Sequence, residues 1–330
     1  MDYRSLGRTG AKVSPLCLGC MNFGAGADEA DSIKIINRAL DAGINFLDTA
    51  DVYSRGISET ITGKAIKKRR NEVFLATKVH GAMGELPNDS GNSRAHIIKA
   101  CDDSLRRLGV DHIDLYQIHR PQSDIPVDET LRALDDLIRA GKVRYIGTST
   151  YAAWQMVEGL WQSEKLGLNR FVSEQPPYHI LDRRVEREMF PVAQTYGYAI
   201  IPWSPLAGGL LSGKYSADKK APKGSRYEKG AFRNGDPIAE KAWAAIEGVR
   251  ALAEAKSCKM DAFALAWCLS NPAVTSPIIG PRTMQQLEGN LKGLTVEISE
   301  EDKNAVDELV KPGTHVVEYY NADFGASQYR

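Results

Sequence analysis

The chain has 330 residues, of which 43% are hydrophobic and 25% are charged, so it is long enough to bury a large apolar core. Its 42 basic and 42 acidic side chains give a formal net charge of zero, which argues against a nucleic-acid binder or a polybasic membrane binder. No apolar run approaches the roughly 18 residues of a membrane span, and the polar start lacks the apolar core of a secretory signal. Its five cysteines are an odd and sparse set for a disulfide framework, and we expect a cytoplasmic protein.

Short apolar runs alternate along the chain with helical patterns. Helical patterns cover residues 30–42, 94–108 and 127–140, and each is followed by a glycine that favours a helix end. The predicted strands, in chain order, are 15–18, 44–48, 73–77, 113–118, 144–147, 171–173, 198–201 and 276–279. Helices that end at glycine just before a strand are typical of βα units with parallel strands. Eight such units in about 250 residues favour a (β/α)8 TIM barrel over two doubly wound halves.

Two segments stand apart from this repeat. Residues 6–10 read Leu-Gly-Arg-Thr-Gly, a pattern that predicts an N-terminal β-hairpin plugging the bottom of the barrel. Residues 206–235 hold five lysines and two arginines against two acidic residues, a net charge of +5. Such a run is often a solvated loop, but a long loop after a barrel strand is usually functional, so we expect this one near phosphate groups. No composition break divides the chain, which predicts one domain over residues 1–330.

Two short motifs imitate nucleotide-binding loops. Residues 24–29 follow the first predicted strand like a dinucleotide fingerprint, but Glu29 occupies the third glycine position, where a side chain obstructs helix–strand packing. Residues 208–215 are one residue short of a Walker A loop, and Tyr215 replaces the hydroxyl that binds magnesium. The histidines show no metal-binding spacing. We therefore predict no Rossmann domain, no nucleotide triphosphatase and no metal site.

Three consecutive predicted strands present polar side chains at their carboxyl ends, where barrel enzymes place their chemistry. Asp48 ends the second strand and Tyr53 follows in the next loop, while Lys78 ends the third strand and His119 the fourth. A single lysine there is more often solvated or paired, and a lone histidine is more often structural. Four chemically matched groups at one barrel mouth favour a catalytic site.

Stretches along essentially the whole chain resemble the aldo-keto reductase superfamily, in particular the bacterial branch that includes channel β-subunit-like reductases. They are residues 43–53 with Ser58, Glu59 and Gly63, then 76–79, 114–119, 141–147, 174–175, 203–209 and 279–283. The resemblance implies a nicotinamide-dependent carbonyl reductase with a TIM-barrel fold. It also implies that the four polar groups at the barrel mouth form its catalytic tetrad, with Tyr53 as the general acid.

The chemistry of the reaction explains why these residue types occur together. Hydride addition to a carbonyl leaves an alkoxide that needs a proton, and a tyrosine with its ordinary pKa of about 10 is a poor donor near neutrality. An ammonium ~4 Å away, at an effective dielectric of ~20, contributes about 4 kcal/mol, or roughly three pKa units. We therefore expect Lys78 to lower the pKa of Tyr53. Asp48 is expected to keep Lys78 charged, and His119 to orient the carbonyl oxygen.

The resemblance also implies a cofactor site, with Trp203 stacked on the nicotinamide ring. The other implied contacts are Ser149, Thr150 and Gln175 to the carboxamide, Ser204, Leu206, Gly208 and Lys214 to the pyrophosphate, Gly280 and Arg282 to the 2′-phosphate, and Gln286 and Asn290 to adenosine. A guanidinium at a helix start suits a phosphate, so NADP is favoured over NAD. Four positions depart from the family pattern. In the cofactor site, Thr150 replaces the usual Asn and Gly289 replaces a frequent acidic residue; elsewhere, Gln122 stands at an often acidic position and His179 replaces the usual Asn.

The substrate pocket is expected to be lined by variable loops. Its candidate residues are Met21, Phe23, His80, the 120–126 loop and, in the C-terminal tail, Tyr319, Tyr320 and Phe324. This aromatic lining indicates hydrophobic or sugar-like carbonyl compounds, so the predicted partner is a small-molecule aldehyde or ketone.

Two alternative functions remain open. One is a regulatory subunit that binds NADP as a sensor and docks on a membrane channel, although no extended arm precedes the first predicted strand. The other is a lyase that uses Lys78 as a Schiff-base amine.

Overall fold

The computed structural model describes residues 1–223, 225–228 and 238–318. Its strands are β1 (Arg4–Ser5), β2 (Lys12–Val13), β3 (Cys17–Gly19), β4 (Phe46–Asp48), β5 (Phe74–Val79), β6 (Ile113–Ile118), β7 (Val143–Ser149), β8 (Phe171–Gln175), β9 (Ala199–Ile200) and β10 (Ile278–Ile279). Its helices are α1 (Glu29–Asp41), α2 (Ile57–Ile66), α3 (Arg94–Leu108), α4 (Val127–Arg139), α5 (Ala153–Leu166), α6 (Met189–Tyr196), α7 (Glu240–Ala255), α8 (Met260–Ser270), α9 (Met284–Leu291) and α10 (Glu300–Leu309). Each strand predicted from the sequence overlaps one of these strands, and the three predicted helices coincide with α1, α3 and α4 to within about one residue at each end.

Strands β3 to β10 form one parallel sheet, in the order β10-β3-β4-β5-β6-β7-β8-β9. The backbone N–H of Ile278 donates to the carbonyl of Pro202, just after β9, at 2.7 Å. This bond brings the two ends of the sheet together, with helices between successive strands. The fold is therefore the predicted (β/α)8 TIM barrel. Within the described residues, no helix has both the length and the apolar composition needed to cross a bilayer.

The N-terminal hairpin closes the bottom of the barrel, as predicted. Its strands β1 and β2 pair antiparallel, and the side chains of Leu6 and Val13 are fully buried in the apolar cluster inside the barrel, beside Phe46 and Leu115. Gly7 has a φ of +55°, and a Cβ there would lie 2.5 Å from the carbonyl oxygen of Gly197. The hairpin thus docks tightly enough to require glycine.

Helix α2, which follows the loop of Tyr53, packs very closely against α3. A Cβ built on Gly63 of α2 would lie 2.0 Å from the carbonyl oxygen of Leu108, the last residue of α3. Backbone atoms of a packed helix cannot move aside cheaply. The two helices can approach this closely only with glycine at this position.

We expect Gly63→Ala to lower the free energy of unfolding by about 1–3 kcal/mol, because overpacking outweighs the gain of about 1 kcal/mol from alanine in a helix. Gly10→Ala is the matched control, since Gly10 has no neighbouring atom within 4 Å and no left-handed φ; its effect should stay within about 0.5 kcal/mol. Denaturant unfolding of the two variants measures both changes. Equal stabilities would contradict this account of the α2–α3 contact.

A buried carboxyl joins β7 to β8 just beneath the barrel mouth. Glu174 accepts a hydrogen bond from the Thr148 hydroxyl at 2.5 Å and another from the backbone N–H of Tyr151 at 3.1 Å. Burial raises the pKa of Glu174 to about 8, although these hydrogen bonds oppose the shift. The folded protein therefore holds a proton on Glu174 at pH values where the unfolded chain has released it.

This raised pKa makes stability depend on pH. The contribution of Glu174 is fully present below its unfolded pKa of about 4.3 and is lost as the pH rises through about 8. Between these values we expect the free energy of unfolding to fall by about 1.4 kcal/mol per pH unit from this group alone. Denaturant unfolding of Glu174→Gln from pH 5.5 to 7.5 should show a slope shallower than wild type by about that amount. Parallel slopes would show that Glu174 is ionised in the folded protein.

Candidate active site

The barrel brings the four predicted catalytic residues together at its carboxyl-terminal mouth. Asp48 is the last residue of β4 and Lys78 lies near the end of β5, while His119 directly follows β6. Tyr53 opens the short 3₁₀ turn Tyr53–Gly56, which leads from β4 into α2. Because neighbouring parallel strands end at one edge of the sheet, all four side chains meet there.

The Lys78 ammonium is fully buried and each of its three protons has an acceptor. It donates to Asp48 Oδ1, to the backbone carbonyl of Thr49 at 2.8 Å and to the hydroxyl oxygen of Tyr53 at 3.1 Å. Burial alone lowers a lysine pKa, but here the Asp48 carboxylate and the Tyr53 oxygen raise the pKa of Lys78 above its ordinary value. Lys78 is therefore a permanent cation.

The other oxygen of Asp48 is held by two buried amides. Gln117 Nε2 donates to Asp48 Oδ2 at 2.9 Å and Gln175 Nε2 donates to the same atom at 3.0 Å, while Gln175 also donates to Gln117 Oε1 at 3.1 Å. Sequence reasoning missed this role of Gln117. The available signal was its position two residues before His119, on the same face of the strand.

The pKa of Tyr53 is raised above 10, opposite to the direction expected from the sequence. Burial of the hydroxyl is the largest effect, and the attraction of Lys78 lowers the pKa but does not offset it. The expected lowering took account of the nearby cation but not of the free energy needed to place a phenolate in a buried site. Tyr53 is therefore a neutral phenol, and because its oxygen accepts from Lys78, its own proton is available to the cavity.

His119 is the second side chain that can donate to a group in the cavity. Its ring stands edge to face against Tyr53, with centroids 5.7 Å apart and an interplanar angle of 82°. Burial, followed by the cations Lys78 and Arg120, holds the pKa of His119 well below its usual value. The imidazole is neutral, so one ring nitrogen carries a proton and the other does not.

A cavity of about 880 Å³ opens from this cluster and runs across the mouth of the barrel to α9. It brings together most of the residues that the sequence predicts. Those in its lining are Met21, Asp48, Tyr53, His119, Ser149, Gln175, Trp203, Ser204, Leu206, Gly208, Lys214, Gly280, Arg282, Gln286 and Asn290. This volume falls near the upper end of the range for ligand pockets, about 300–1,000 Å³.

Three individually predicted contact residues lie outside that lining, as do residues 121–126 of the predicted pocket loop. The side chain of Phe23 is fully buried in the core around the barrel, and His80 Nδ1 lies 2.9 Å from Asn92 Oδ1. The Thr150 hydroxyl donates to the carbonyl of Ser149 at 2.7 Å. The predicted pocket residues Tyr319, Tyr320 and Phe324 lie outside the described part of the chain, as do residues 224 and 229–235 of the basic segment.

Several residues of the lining were not predicted individually, although Arg120 belongs to the predicted 120–126 pocket loop and four others belong to the basic segment expected near phosphate groups. They are Gly19, Asn22, Arg120, Pro205, Gly209, Ser212, Arg226, Tyr227, Asp261, Ile278, Ile279, Pro281 and Glu318. Most follow directly on strands or on predicted residues, so their positions at the mouth are unsurprising. Asp261 is different, because it lies at the start of α8, and no pattern in the sequence linked that helix to the site.

The chemistry of the cavity fits a phosphorylated dinucleotide. Lys214 and Arg282 line it, and neither forms an ion pair with a described residue. Asn290 is 5% exposed, yet its side-chain amide makes no hydrogen bond within the described protein. Cations without a carboxylate partner suit phosphate oxygens, and a buried amide without hydrogen-bond partners requires a polar ligand or water. The half-buried Trp203 adds an aromatic surface to the same lining.

Comparison with known proteins agrees with this geometry. A model of the Aldo/keto reductase family matches residues 15–311. A Bacillus subtilis protein described as an uncharacterized oxidoreductase is 40% identical over 97% of this chain and 99% of its own length. A rice protein (Oryza sativa subsp. japonica) described as a probable voltage-gated potassium channel subunit beta is 37% identical, over 90% of this chain and 92% of its own length. The versiconal hemiacetal acetate reductase of Aspergillus parasiticus is 34% identical, over 94% and 98%.

The family model spans all eight strands of the barrel and the four polar residues at its mouth. The chain belongs to the aldo/keto reductase family.

Proposed function

We propose that this protein reduces an aldehyde or ketone to an alcohol with NADPH, and that Tyr53 is the general acid. The observation that carries the proposal is the bonding of the Lys78 ammonium. Since one of its protons is donated to the Tyr53 oxygen, the phenolic proton has no acceptor in the cluster and is directed to the cavity. A carbonyl oxygen placed there receives that proton as it becomes an alkoxide.

The residues around Lys78 then stabilise what the proton leaves behind. The nicotinamide, when bound, supplies the hydride that the carbonyl carbon accepts. As Tyr53 gives up its proton, its oxygen becomes a phenolate 3.1 Å from a permanent ammonium, an arrangement that favours the charge-separated state in a low-dielectric site. Asp48 keeps that ammonium in position, because Gln117 and Gln175 hold its second oxygen.

His119 is proposed to orient the substrate. A neutral imidazole whose ring edge faces the same space as the Tyr53 hydroxyl is able to donate one N–H to the carbonyl oxygen. Two donors that converge on one oxygen fix the carbonyl relative to the hydride. An imidazolium in this position would compete with Lys78 for the developing negative charge, so the lowered pKa of His119 fits an orienting role.

The remaining lining is proposed to hold NADP along the cavity. Trp203 stacks on the nicotinamide, and Gln175 Oε1 accepts from the carboxamide, since Gln175 Nε2 is already engaged with Asp48. Lys214 binds the pyrophosphate. Arg282 binds the 2′-phosphate, which gives the preference for NADP over NAD.

Two other functions are weaker on the same observations. A Schiff-base lyase needs a neutral amine, whereas the Lys78 pKa is raised and every ammonium proton is engaged. Borohydride treatment with a carbonyl substrate should therefore leave Lys78 unmodified.

The similarity to a probable channel β-subunit favours a second candidate, a regulatory subunit that senses NADP. A stable channel partner in a pull-down, with no carbonyl turnover, would favour that candidate.

We expect Tyr53→Phe to lower kcat for aldehyde reduction by at least 100-fold, because general acid catalysis is typically worth 10²–10⁴-fold. NADPH affinity should change little, since only the hydroxyl is removed. Loss of NADPH absorbance measures turnover, and quenching of protein fluorescence measures binding. Tyr196→Phe, an exposed tyrosine on α6, is the matched control and should keep full activity. Full activity of Tyr53→Phe would rule out the assigned acid.

We expect Arg282→Gln to weaken NADPH binding by about 10–100-fold, because hydrogen bonds to a charged group contribute about 1.5–3 kcal/mol. NADH, which lacks the 2′-phosphate, should bind nearly as it does to wild type. Dissociation constants for both nucleotides measure the change, with Arg132→Gln on the exposed face of α4 as the control. An equal loss for the two nucleotides would place the 2′-phosphate elsewhere.

A further inference from the structure

A carboxylate lines the far end of the cavity without a cationic partner. Asp261 lies in the first turn of α8 and faces the cavity beside Gln286 and Asn290. Its Oδ1 accepts from the backbone N–H of Ala262 at 2.9 Å. No ion pair joins Asp261 to any residue in the described part of the chain, so its Oδ2 is available to a ligand.

The facing helix makes room for this carboxylate. A Cβ built on Gly289 of α9 would lie 3.0 Å from Asp261 Oδ2, which is tighter than ordinary van der Waals contact. Any side chain at residue 289 would therefore press on Asp261. Gly289 also stands where the family resemblance leads one to expect an acidic residue. In this chain, the Asp261 carboxylate on α8 reaches the space that an acidic side chain at residue 289 of α9 would enter.

The charge of the surroundings limits what Asp261 can bind. Among the described residues of the lining, the cations Lys214, Arg226 and Arg282 suit phosphate, and Glu318 is a second carboxylate. A carboxylate repels phosphate and the acceptor atoms of a base, but it accepts strongly from an N–H donor. In NADP the N–H donors are the nicotinamide carboxamide and the amino group of adenine. The carboxamide belongs at the opposite end, near Tyr53, which leaves the adenine amine for Asp261.

We propose that Asp261 accepts a hydrogen bond from the exocyclic amine of adenine, and that Gly289 is needed to admit its carboxylate. This inference rests on the proposed function, because it assigns an acceptor within the same cofactor site. Asn290, buried and without a described side-chain partner, lies beside it to meet the polar edge of the base ring. Asp261 is therefore a specificity residue that distinguishes adenine from purines lacking the amine.

The test compares NADPH with its hypoxanthine analogue, in which a carbonyl oxygen replaces the adenine amine. Dissociation constants are measured by fluorescence quenching or calorimetry, without turnover. We expect wild type to bind NADPH about 10-fold or more tightly than the analogue, since the lost bond involves a charged acceptor and the new oxygen faces a carboxylate. In Asp261→Ala the two nucleotides should bind about equally.

Two further variants separate this role from general damage to the site. Glu288→Ala, an acidic neighbour on α9 that pairs with Arg38 and is absent from the cavity lining, should keep the wild-type preference. Adding Gly289→Glu to Asp261→Ala should restore the preference, because a carboxylate then enters the same space from α9. Thermal unfolding of each variant verifies that it is folded.

The possible results separate the role of Asp261 from the proposed reductase function. Equal binding of both nucleotides by wild type, a comparison that needs no variant, overturns the role of Asp261 and leaves the proposed reductase intact. A preference that survives in Asp261→Ala also overturns it. Failure of wild type to bind NADPH at all overturns the proposed function itself.

Discussion

The active-site cluster depends on a buried ammonium. Removing a lysine charge from water costs several kcal/mol unless it is paired and hydrogen-bonded, and Lys78 is fully buried. A carboxylate, a backbone carbonyl and a phenolic oxygen take its three protons. Those acceptors come from β4 and the loop after it, so the cluster exists only where β4 lies beside β5. The same arrangement that makes the charge tolerable leaves the Tyr53 proton as the donor that the cavity receives.

The strands beside Lys78 are fixed by a second buried network. Thr77, the residue before it, donates its hydroxyl to Glu59 Oε1 at 2.6 Å, and Arg107 Nε donates to Glu59 Oε2 at 2.6 Å. The backbone N–H of Asp51 donates to the Lys78 carbonyl at 3.2 Å. Glu59 lies on α2 and Arg107 on α3, so the close approach of these helices is transmitted to the strand that carries the ammonium. The position of the proposed catalytic groups therefore depends on helix packing as well as on the barrel.

Sequence reasoning recovered what depends on pattern and missed what depends on distance and dielectric. Strand ends follow from periodicity, so the sequence alone predicts Asp48, Lys78 and His119 at the mouth of the barrel. The direction of the Tyr53 pKa shift was wrong, because burial is a property of the assembled site and cannot be read from spacing. Phe23 has the right position along the chain for a pocket residue, but its side chain turns into the core. Asp261 is far from the recognisable motifs in sequence and reaches the cavity only through helix packing.

The two ends of the cavity are built by opposite physical means. Around Lys78 the charged and amide groups are almost entirely buried and each is held by several hydrogen bonds, so low dielectric strengthens every interaction there. At the other end Lys214 and Gln286 are exposed and Arg282 is half-buried, so their attraction for phosphate is weakened by water and salt. A dry end suits proton transfer, since its dipoles need no reorganisation. The wetter end suits a cofactor that must enter and leave at each turnover. In that setting a single carboxylate gains selectivity mainly by excluding the wrong base, because an acceptor facing an acceptor is costly even where attraction is screened.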